Sequence, residues 1–363
     1  MVPKPPAGVR LIRLAQPDVG EEELAEIAAV LETGQLTMGP KVEELEALLA
    51  RAAGTEHAVA VSSGTAALHI AVLALGIGDR DEVLVPAYTF PATANVVALA
   101  GARPVLVDVD PVTMNMDPAE AARRVTPKTK ALLAVHLFGR PARLEELPDL
   151  PLIEDAAGAL GAEHRGRLCG GLGLLGCFSF HPRKIVTTGE GGAVTTNDDA
   201  LAERVRSLRH HGWSPSNAYD DMPAGAYNYR LSDVLAALGI PQLRRLEELL
   251  AGRERVAAGY AERLAGLPIT LPEADEGDRH GWQAYVVQLD GRDAVMEALR
   301  AQGIQCQIGT YALQRLGAYR DQGRFPGAEA AFERALALPL HSRLEDSDLD
   351  RVAEALDKLV SHH

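Results

Sequence analysis

Residues 21–33 place Leu24, Ile27, Ala28 and Leu31 on one helical face, and Gly34 follows as a stop. Residues 41–53 repeat the pattern with Val42, Leu45 and Leu49. Two amphipathic helices packing on a core are predicted there. From residue 57 the rhythm changes, and short apolar runs alternate with helical segments. Strands are predicted at 57–61, 83–85, 105–107, 131–135, 152–153, 177–180 and 193–195. Helices are predicted at 65–75, 91–100, 118–125 and 198–209. Alternating β and α units imply an α/β fold, a largely parallel sheet with helices on both faces. Ligands of such sheets bind beyond the carboxyl ends of the strands.

After Asp220 the pattern shifts to a long helical stretch, 232–250, which Pro241 should kink or interrupt, continued by 253–265. An acidic loop runs from Pro272 to Gly281. Then a smaller α+β unit is predicted: strand 284–289, helix 292–302, strand 304–308, helix 327–336 and helix 346–360. The boundary is placed near 245–255. This gives a large unit over residues 1–250 and a small C-terminal unit over 251–363.

The chain has 363 residues and a net charge of -14. So acidic a balance argues against nucleic acid or an anionic membrane as partner, since both need a basic surface. It leaves room for a local basic pocket and a small anionic ligand. Three cysteines, Cys169, Cys177 and Cys306, form no Cys-x-x-Cys pair. Neither a disulfide framework nor a zinc site is expected, and a reducing cytoplasm is the expected compartment. Met1 to Pro6 lacks the apolar run of a signal peptide, and the longest apolar run, 68–77, is too short to span a bilayer.

Candidate chemistry sits at the predicted strand ends. Ser62-Ser63-Gly64-Thr65 opens a helix after a strand, presenting free N–H groups and a hydroxyl as a phosphate site. The run fits an ordinary Ser/Thr N-cap as well. It carries neither the Gly-Lys-Ser/Thr nor the Gly-x-Gly-x-x-Gly spacing. Asp155, in Ile153-Glu154-Asp155-Ala156, ends another strand. Buried there, it needs a cationic partner, and a protonated pyridine nitrogen would serve; a helix N-cap is the other reading. Tyr88 and Phe90 offer rings at a third strand end, for stacking on a heteroaromatic ligand or for core packing. Asn228 and Arg230 lie in a polar, aromatic loop suited to an anion or to helix entry. Lys184, in Phe178-Ser179-Phe180-His181-Pro182-Arg183-Lys184, precedes the glycine-rich Gly189-Glu190-Gly191-Gly192. Alone it is a surface charge or a Schiff-base lysine. Together these pieces supply a phosphate cup, a ring platform, a pyridinium partner and a Schiff-base lysine, the needs of pyridoxal 5′-phosphate.

These runs, with Gly39-Pro40, His136-Leu137-Phe138-Gly139, Asn228-Tyr229-Arg230-Leu231 and Leu338-Pro339-Leu340-His341, carry a resemblance nearly end to end. The chain resembles the DegT/StrS family of sugar aminotransferases, fold-type-I pyridoxal-phosphate enzymes of the aspartate-aminotransferase fold. The resemblance implies that Lys184 forms the Schiff base, Asp155 pairs with the pyridine nitrogen and Phe90 stacks on the ring. It also implies that Gly64, Thr65 and Ser179 hold the phosphate, with Asn228 reaching it from the neighbouring subunit of a homodimer with shared active sites. A branch of the family that dehydrates sugars has His in place of the lysine, so Lys184 points to amine transfer, with glutamate as donor and a nucleotide-linked keto-deoxy sugar as acceptor. A keto-cyclitol acceptor, or a ligand-sensing regulator of the same fold, is the alternative.

Two positions depart from the family. Gln or His usually stands three residues after the aspartate, near the cofactor's phenolic oxygen; here it is Gly158. The hydrogen bonding there must differ, or a water substitutes. Many members carry a His-Tyr pair on the substrate side of the C-terminal part, where this chain reads Ile308-Gly309-Thr310-Tyr311.

Overall fold

A computed structural model describes residues 10–213 and 225–361. Helices α1 (Glu21–Thr33) and α2 (Pro40–Ala53) lead into strand β1 (His57–Val61) and helix α3 (Gly64–Ala74). Next come β2 (Glu82–Pro86), β3 (Tyr88–Thr89), α4 (Ala92–Leu99), β4 (Arg103–Val107), α5 (Pro118–Arg124) and β5 (Thr129–Val135). The central stretch holds β6 (Leu152–Asp155), β7 (Glu163–His164), β8 (Arg167–Leu168), β9 (Leu175–Ser179), β10 (Gly192–Thr196) and α6 (Asp199–Arg209). The remainder comprises α7 (Asp233–Arg244), α8 (Leu246–Arg263), β11 (Tyr285–Gln288), α9 (Arg292–Ala301), β12 (Gln307–Ile308), β13 (Tyr311–Ala312), α10 (Pro326–Arg334), β14 (Ala335–Leu338) and α11 (Asp346–Val360).

The main sheet has the order β1-β10-β9-β6-β5-β2-β4. Its pairings from β9 to β4 are all parallel, and β10 alone runs against its neighbours. Strands such as Glu82-Val83-Leu84-Val85-Pro86 are buried at every residue, as expected where helices cover both faces. Helix α3 is apolar nearly all round because it is buried all round, packed against β9, β10, α4 and α6. Helices α2 and α7 close the opposite face.

A second sheet, β11-β14-β12, is antiparallel and is covered by α8, α9 and α11. Ile12 joins that core and bridges Ile304. Strand β13 instead pairs with β3, so the C-terminal half reaches the mouth of the main sheet.

Three expectations shift. The break in the long helical stretch falls at Arg245, four residues past Pro241, not near 251. Pro241 is tolerated inside α7, and Arg245 leaves helical geometry one turn later. The strand expected over 304–308 is ordered as strand only at Gln307–Ile308. The helix expected to run to 336 stops at Arg334, and Ala335–Leu338 becomes the middle strand of the small sheet. That run is short, apolar and free of β-branched residues, so periodicity cannot separate it from a helix end.

Candidate functional site

Strands β1, β6 and β9 point the same way, so the chain after Val61, Asp155 at the end of β6 and Ser179 at the end of β9 all emerge at one edge. The reversed strand β10 starts there, with Gly192 paired to both Val61 and Ser179. Two glycines make this convergence possible. A Cβ on Gly64 would lie 2.7 Å from Ser179 Cβ, and one on Gly192 would lie 2.5 Å from the Ser63 carbonyl carbon. Ser63 caps α3, its hydroxyl accepting the Ala66 N–H at 3.1 Å. The N–H groups of Gly64 and Thr65 lie in the first turn, where an α-helix offers no partner. Thr65 is exposed and Ser179 partly so. The positive end of α3 therefore faces an open cup floored by a hydroxyl.

Asp155 is 5% exposed at this edge. Its Oδ2 accepts from Thr93 Oγ1 at 2.8 Å, and its Oδ1 accepts the Ala157 N–H at 3.2 Å. Burial pushes the carboxyl above its ordinary value, although Thr93 and the charge of Lys184 pull the other way. Thr93 also shares a 3.2 Å bond with Thr89 Oγ1, and its N–H meets the Phe90 carbonyl at 3.1 Å. Phe90 itself is 60% exposed, its ring edge-on to Tyr311 at 6.2 Å.

Lys184 sits on the turn after β9, its N–H donating to the His181 carbonyl at 2.8 Å. Beyond it the chain folds back, with the Thr188 N–H and the Thr187 hydroxyl both on the Phe180 carbonyl, at 3.0 and 2.8 Å. Gln242 of α7 clamps Thr187 twice, accepting its N–H at 2.9 Å and donating to its carbonyl at 2.8 Å. Burial lowers the Lys184 pKa, with Arg183 adding to the effect and the Asp155 charge opposing it. Lys184 is half-buried, and an amine whose pKa is pushed down gives up its proton more readily than a solvated lysine, as a nucleophile or base must.

Glu154, beside Asp155, does a different job. It is fully buried and accepts the N–H groups of Gly170, Leu172 and Gly173 at 2.7, 2.7 and 2.6 Å. His136 Nε2 lies 2.8 Å from its Oε2, and the Ala142 N–H donates to His136 Nδ1 at 2.9 Å. With Nδ1 accepting, the ring proton sits on Nε2 and is shared with Glu154. Burial raises the Glu154 carboxyl, yet the His136 and backbone donors outweigh it and hold the value down. The network fixes the loop that feeds β9.

The structure thus brings Gly64, Thr65, Ser179, Lys184 and Asp155 to one edge, with Phe90 at its rim through Thr93. Asn228 is exposed and pairs through its backbone with His210. Among the described residues its side chain has no hydrogen bond to Thr65 or Ser179. The sequence reading missed Thr93, whose type and spacing give no signal, and Gln242, which is distant in sequence. The departure at Gly309 has a steric cause. A Cβ there would meet the Tyr88 hydroxyl at 2.5 Å, and the same hydroxyl accepts the Thr310 N–H at 3.1 Å. Among the described residues, no cluster of His, Cys, Asp or Glu could hold a metal ion, and no helix is long and apolar enough to cross a membrane.

Comparison with known proteins assigns this fold and site to an enzyme class, the aminotransferases. The model of the DegT/DnrJ/EryC1/StrS aminotransferase family matches residues 17–357, and the chain belongs to that family. Among solved structures it is similar to DesV of S. venezuelae in complex with a ketimine intermediate, at 36% identity, covering 93% of this chain and 94% of that one, with a TM-score of 0.89. It is similar to DesI, solved in the presence of its TDP-sugar product, at 34% identity, 97% and 93% coverage and a TM-score of 0.91. The PLP form of the sugar aminotransferase Spr1654 from Streptococcus pneumoniae matches at 30% identity, with 97% and 99% coverage and a TM-score of 0.92.

Proposed function

We propose that this aminotransferase uses pyridoxal 5′-phosphate to move an amino group from an amino acid, glutamate by family resemblance, to a nucleotide-linked keto-deoxy sugar. The observation that carries the reading is the convergence of the half-buried Lys184 and the buried Asp155 carboxyl on the same sheet edge, beside the N-terminus of α3. The donor set fits the cofactor. The free N–H groups of Gly64 and Thr65 and the Ser179 hydroxyl suit a phosphate, and the cup exists only because Gly64 has no side chain. Among the described residues Asp155 has hydrogen-bond donors in Thr93 and Ala157, but neither is charged; the charges acting on it, Lys184 and His136, do not outweigh its burial. A pyridinium nitrogen would supply an adjacent cation.

When bound, the cofactor supplies an electron sink for the carbanion formed at the substrate carbon. Asp155 holds the proton on the ring nitrogen that keeps this sink effective. Phe90 offers a flat apolar face to the ring. Lys184 Nζ is the covalent anchor. Once released by the amino donor, the same amine would take a proton from the substrate carbon and deliver it to the cofactor carbon it had been bound to, acting as base and then acid. Its lowered pKa favours the free amine that this role needs. The likeness to DesI, solved with its TDP-sugar product, supports a sugar acceptor. Asn228, exposed on this chain, is proposed to complete the phosphate cup of a second copy in a homodimer.

Borohydride reduction of the protein loaded with pyridoxal 5′-phosphate, followed by peptide mapping, tests the anchor; the adduct is expected on Lys184 and nowhere else. Conversion of the cofactor to its amine form by glutamate distinguishes an enzyme from a ligand sensor. Turnover of keto-sugar nucleotides but not keto-cyclitols is expected in an acceptor screen; the reverse preference would overturn the sugar assignment.

A further inference from the structure

Gly158 lies three residues beyond Asp155, and the space a side chain would take there is filled from another part of the chain. A Cβ built on Gly158 would touch Gln283 in ordinary contact, 3.4 Å from Oε1 and 3.5 Å from Cβ and Cγ. The same side chain reaches Lys184's turn, its Nε2 standing 3.4 Å from the Arg183 carbonyl oxygen. Gln283 therefore spans the gap between the loop after the acid and the turn bearing the amine.

Its backbone is held on three sides. The Gln283 N–H donates to the Phe138 carbonyl at 3.0 Å, and the Gly281 N–H donates to the Gly139 carbonyl at 2.8 Å. Arg253, buried in α8, donates to the carbonyls of Trp282 and Gln283 at 3.0 and 3.3 Å. Gly139 is required for this approach, because a Cβ there would come within 2.9 Å of the Trp282 nitrogen. The backbone is fixed, while among the described residues the amide end makes only a long bond, to Arg183. A group anchored at its root and weakly engaged at its tip is prepared for a ligand.

The cofactor's own bonding pattern says which ligand atom that is. The carbon that binds the lysine is a substituent on the ring position para to the ring nitrogen. The phenolic oxygen is on the ring position next to that one, and the phosphate arm is on the opposite flank. With the nitrogen at Asp155, the anchor at Lys184 and the phosphate at Gly64, Thr65 and Ser179, the phenolic oxygen would face away from the phosphate cup, on the side where Gln283 stands between Gly158 and Arg183. Resting on the cofactor assignment above, the geometry points to Gln283 Nε2, with one N–H on the Arg183 carbonyl and the second uncommitted among the described residues, as the donor to this oxygen, supplying from the C-terminal half what Gly158 cannot. It is a positioning residue that tunes the anchor: an amide N–H on the phenolic oxygen stabilises its anionic form and lowers the proton affinity of the neighbouring Lys184 nitrogen.

The test is spectrophotometric, on protein loaded with pyridoxal 5′-phosphate. Gln283→Ala is expected to weaken cofactor binding by about tenfold and to move the midpoint of the bound cofactor's absorbance titration up by about one pH unit. Gln283→Glu, which keeps the shape but loses the donor, shifts the midpoint the same way. Adding Gly158→Gln to Gln283→Ala restores both quantities, since a side chain at 158 then enters the vacated space. Wild-type affinity and an unmoved midpoint in both single variants overturn the proposal, whatever their melting temperatures. Failure of the double variant to recover either quantity, with a melting temperature equal to that of Gln283→Ala, also counts against it. Borohydride labelling away from Lys184 in the unaltered protein would instead sink the cofactor assignment itself.

Discussion

Thr93 Oγ1 donates to Asp155 Oδ2 at 2.8 Å, and neither residue is appreciably exposed. This bond ties helix α4 to the end of β6, and through Thr89 and Phe90 it links the acid to the proposed ring platform. A donor on a buried carboxylate favours the charged form, so Thr93 works against the burial that raises the Asp155 pKa.

Thr93→Val keeps the volume and removes that donor. The Asp155 carboxyl should rise further, so the acidic limb of the pH–rate profile should move to higher pH. A hydrogen bond to a charged group contributes about 1.5–3 kcal/mol, so transamination below the new limb should fall by roughly tenfold or more. An acidic limb at its original position, with only the melting temperature lowered, would show that Thr93 merely packs.

Asp155 itself gives a prediction of opposite signs for stability and activity. Its folded pKa lies above the unfolded carboxylate value, so the folded protein holds the extra proton in the window between them. Stability therefore falls as pH rises through that window, and the ionised group is a burden at neutral pH. Asp155→Asn should melt at a higher temperature than the parent at pH 7 in cofactor-free protein. The advantage should vanish below about pH 4, where the parent carboxyl is protonated in both states. Transamination should drop by about 10²–10⁴-fold, because a neutral amide cannot hold the ring proton. Melting curves across pH and a glutamate half-reaction check the two halves separately.

The sequence made the main architecture legible because its strands are short apolar runs bounded by helices, and burial on both faces demands that pattern. The same logic placed Gly64, Asp155, Ser179 and Lys184 at strand ends, and the sheet order brings those ends to one edge. What stayed hidden depends on distance in sequence. Ala335–Leu338 reads as the tail of a helix until β11 and β12 pair with it from either side. Gly158 reads as a missing side chain until Gln283, 125 positions later, is seen against it. Glu154 looks like a twin of Asp155, yet strand alternation sends it to the opposite face and into three backbone N–H groups.

Gly64→Ala tests the phosphate cup. The new methyl would stand 2.7 Å from Ser179 Cβ and 3.3 Å from Ser179 Cα, and a strand end cannot retreat as a flexible side chain can. Overpacking of this kind costs about 1–3 kcal/mol. Part of it should appear as a lower melting temperature and the rest as weaker retention of pyridoxal 5′-phosphate, because the helix start moves away from Ser179. Equilibrium dialysis should show a Kd raised by roughly tenfold. Tight retention in a variant that melts normally would mean the phosphate sits elsewhere.

Glu154→Gln leaves the shape of the buried network and spoils its donor balance. The carboxylate accepts from four groups, counting His136, and has nothing to donate. An amide must aim its NH₂ at one pair of those donors, leaving them unpaired in the interior. Unsatisfied buried groups and the lost charge-assisted bonds together should cost about 3 kcal/mol, read as a lower urea midpoint at pH 7. Hydrogen exchange should quicken first at Gly170, Leu172 and Gly173, whose N–H groups lose their acceptor. The pH dependence fixes the cause. The Glu154 carboxyl is held below its ordinary value, so its contribution is present above the unfolded carboxylate pKa and is lost as pH falls through the folded one. The gap between parent and Glu154→Gln should therefore narrow on acidification. A gap that stays constant down to acid pH would place the damage in packing, and the loop before β9 would owe its position to something other than this carboxylate.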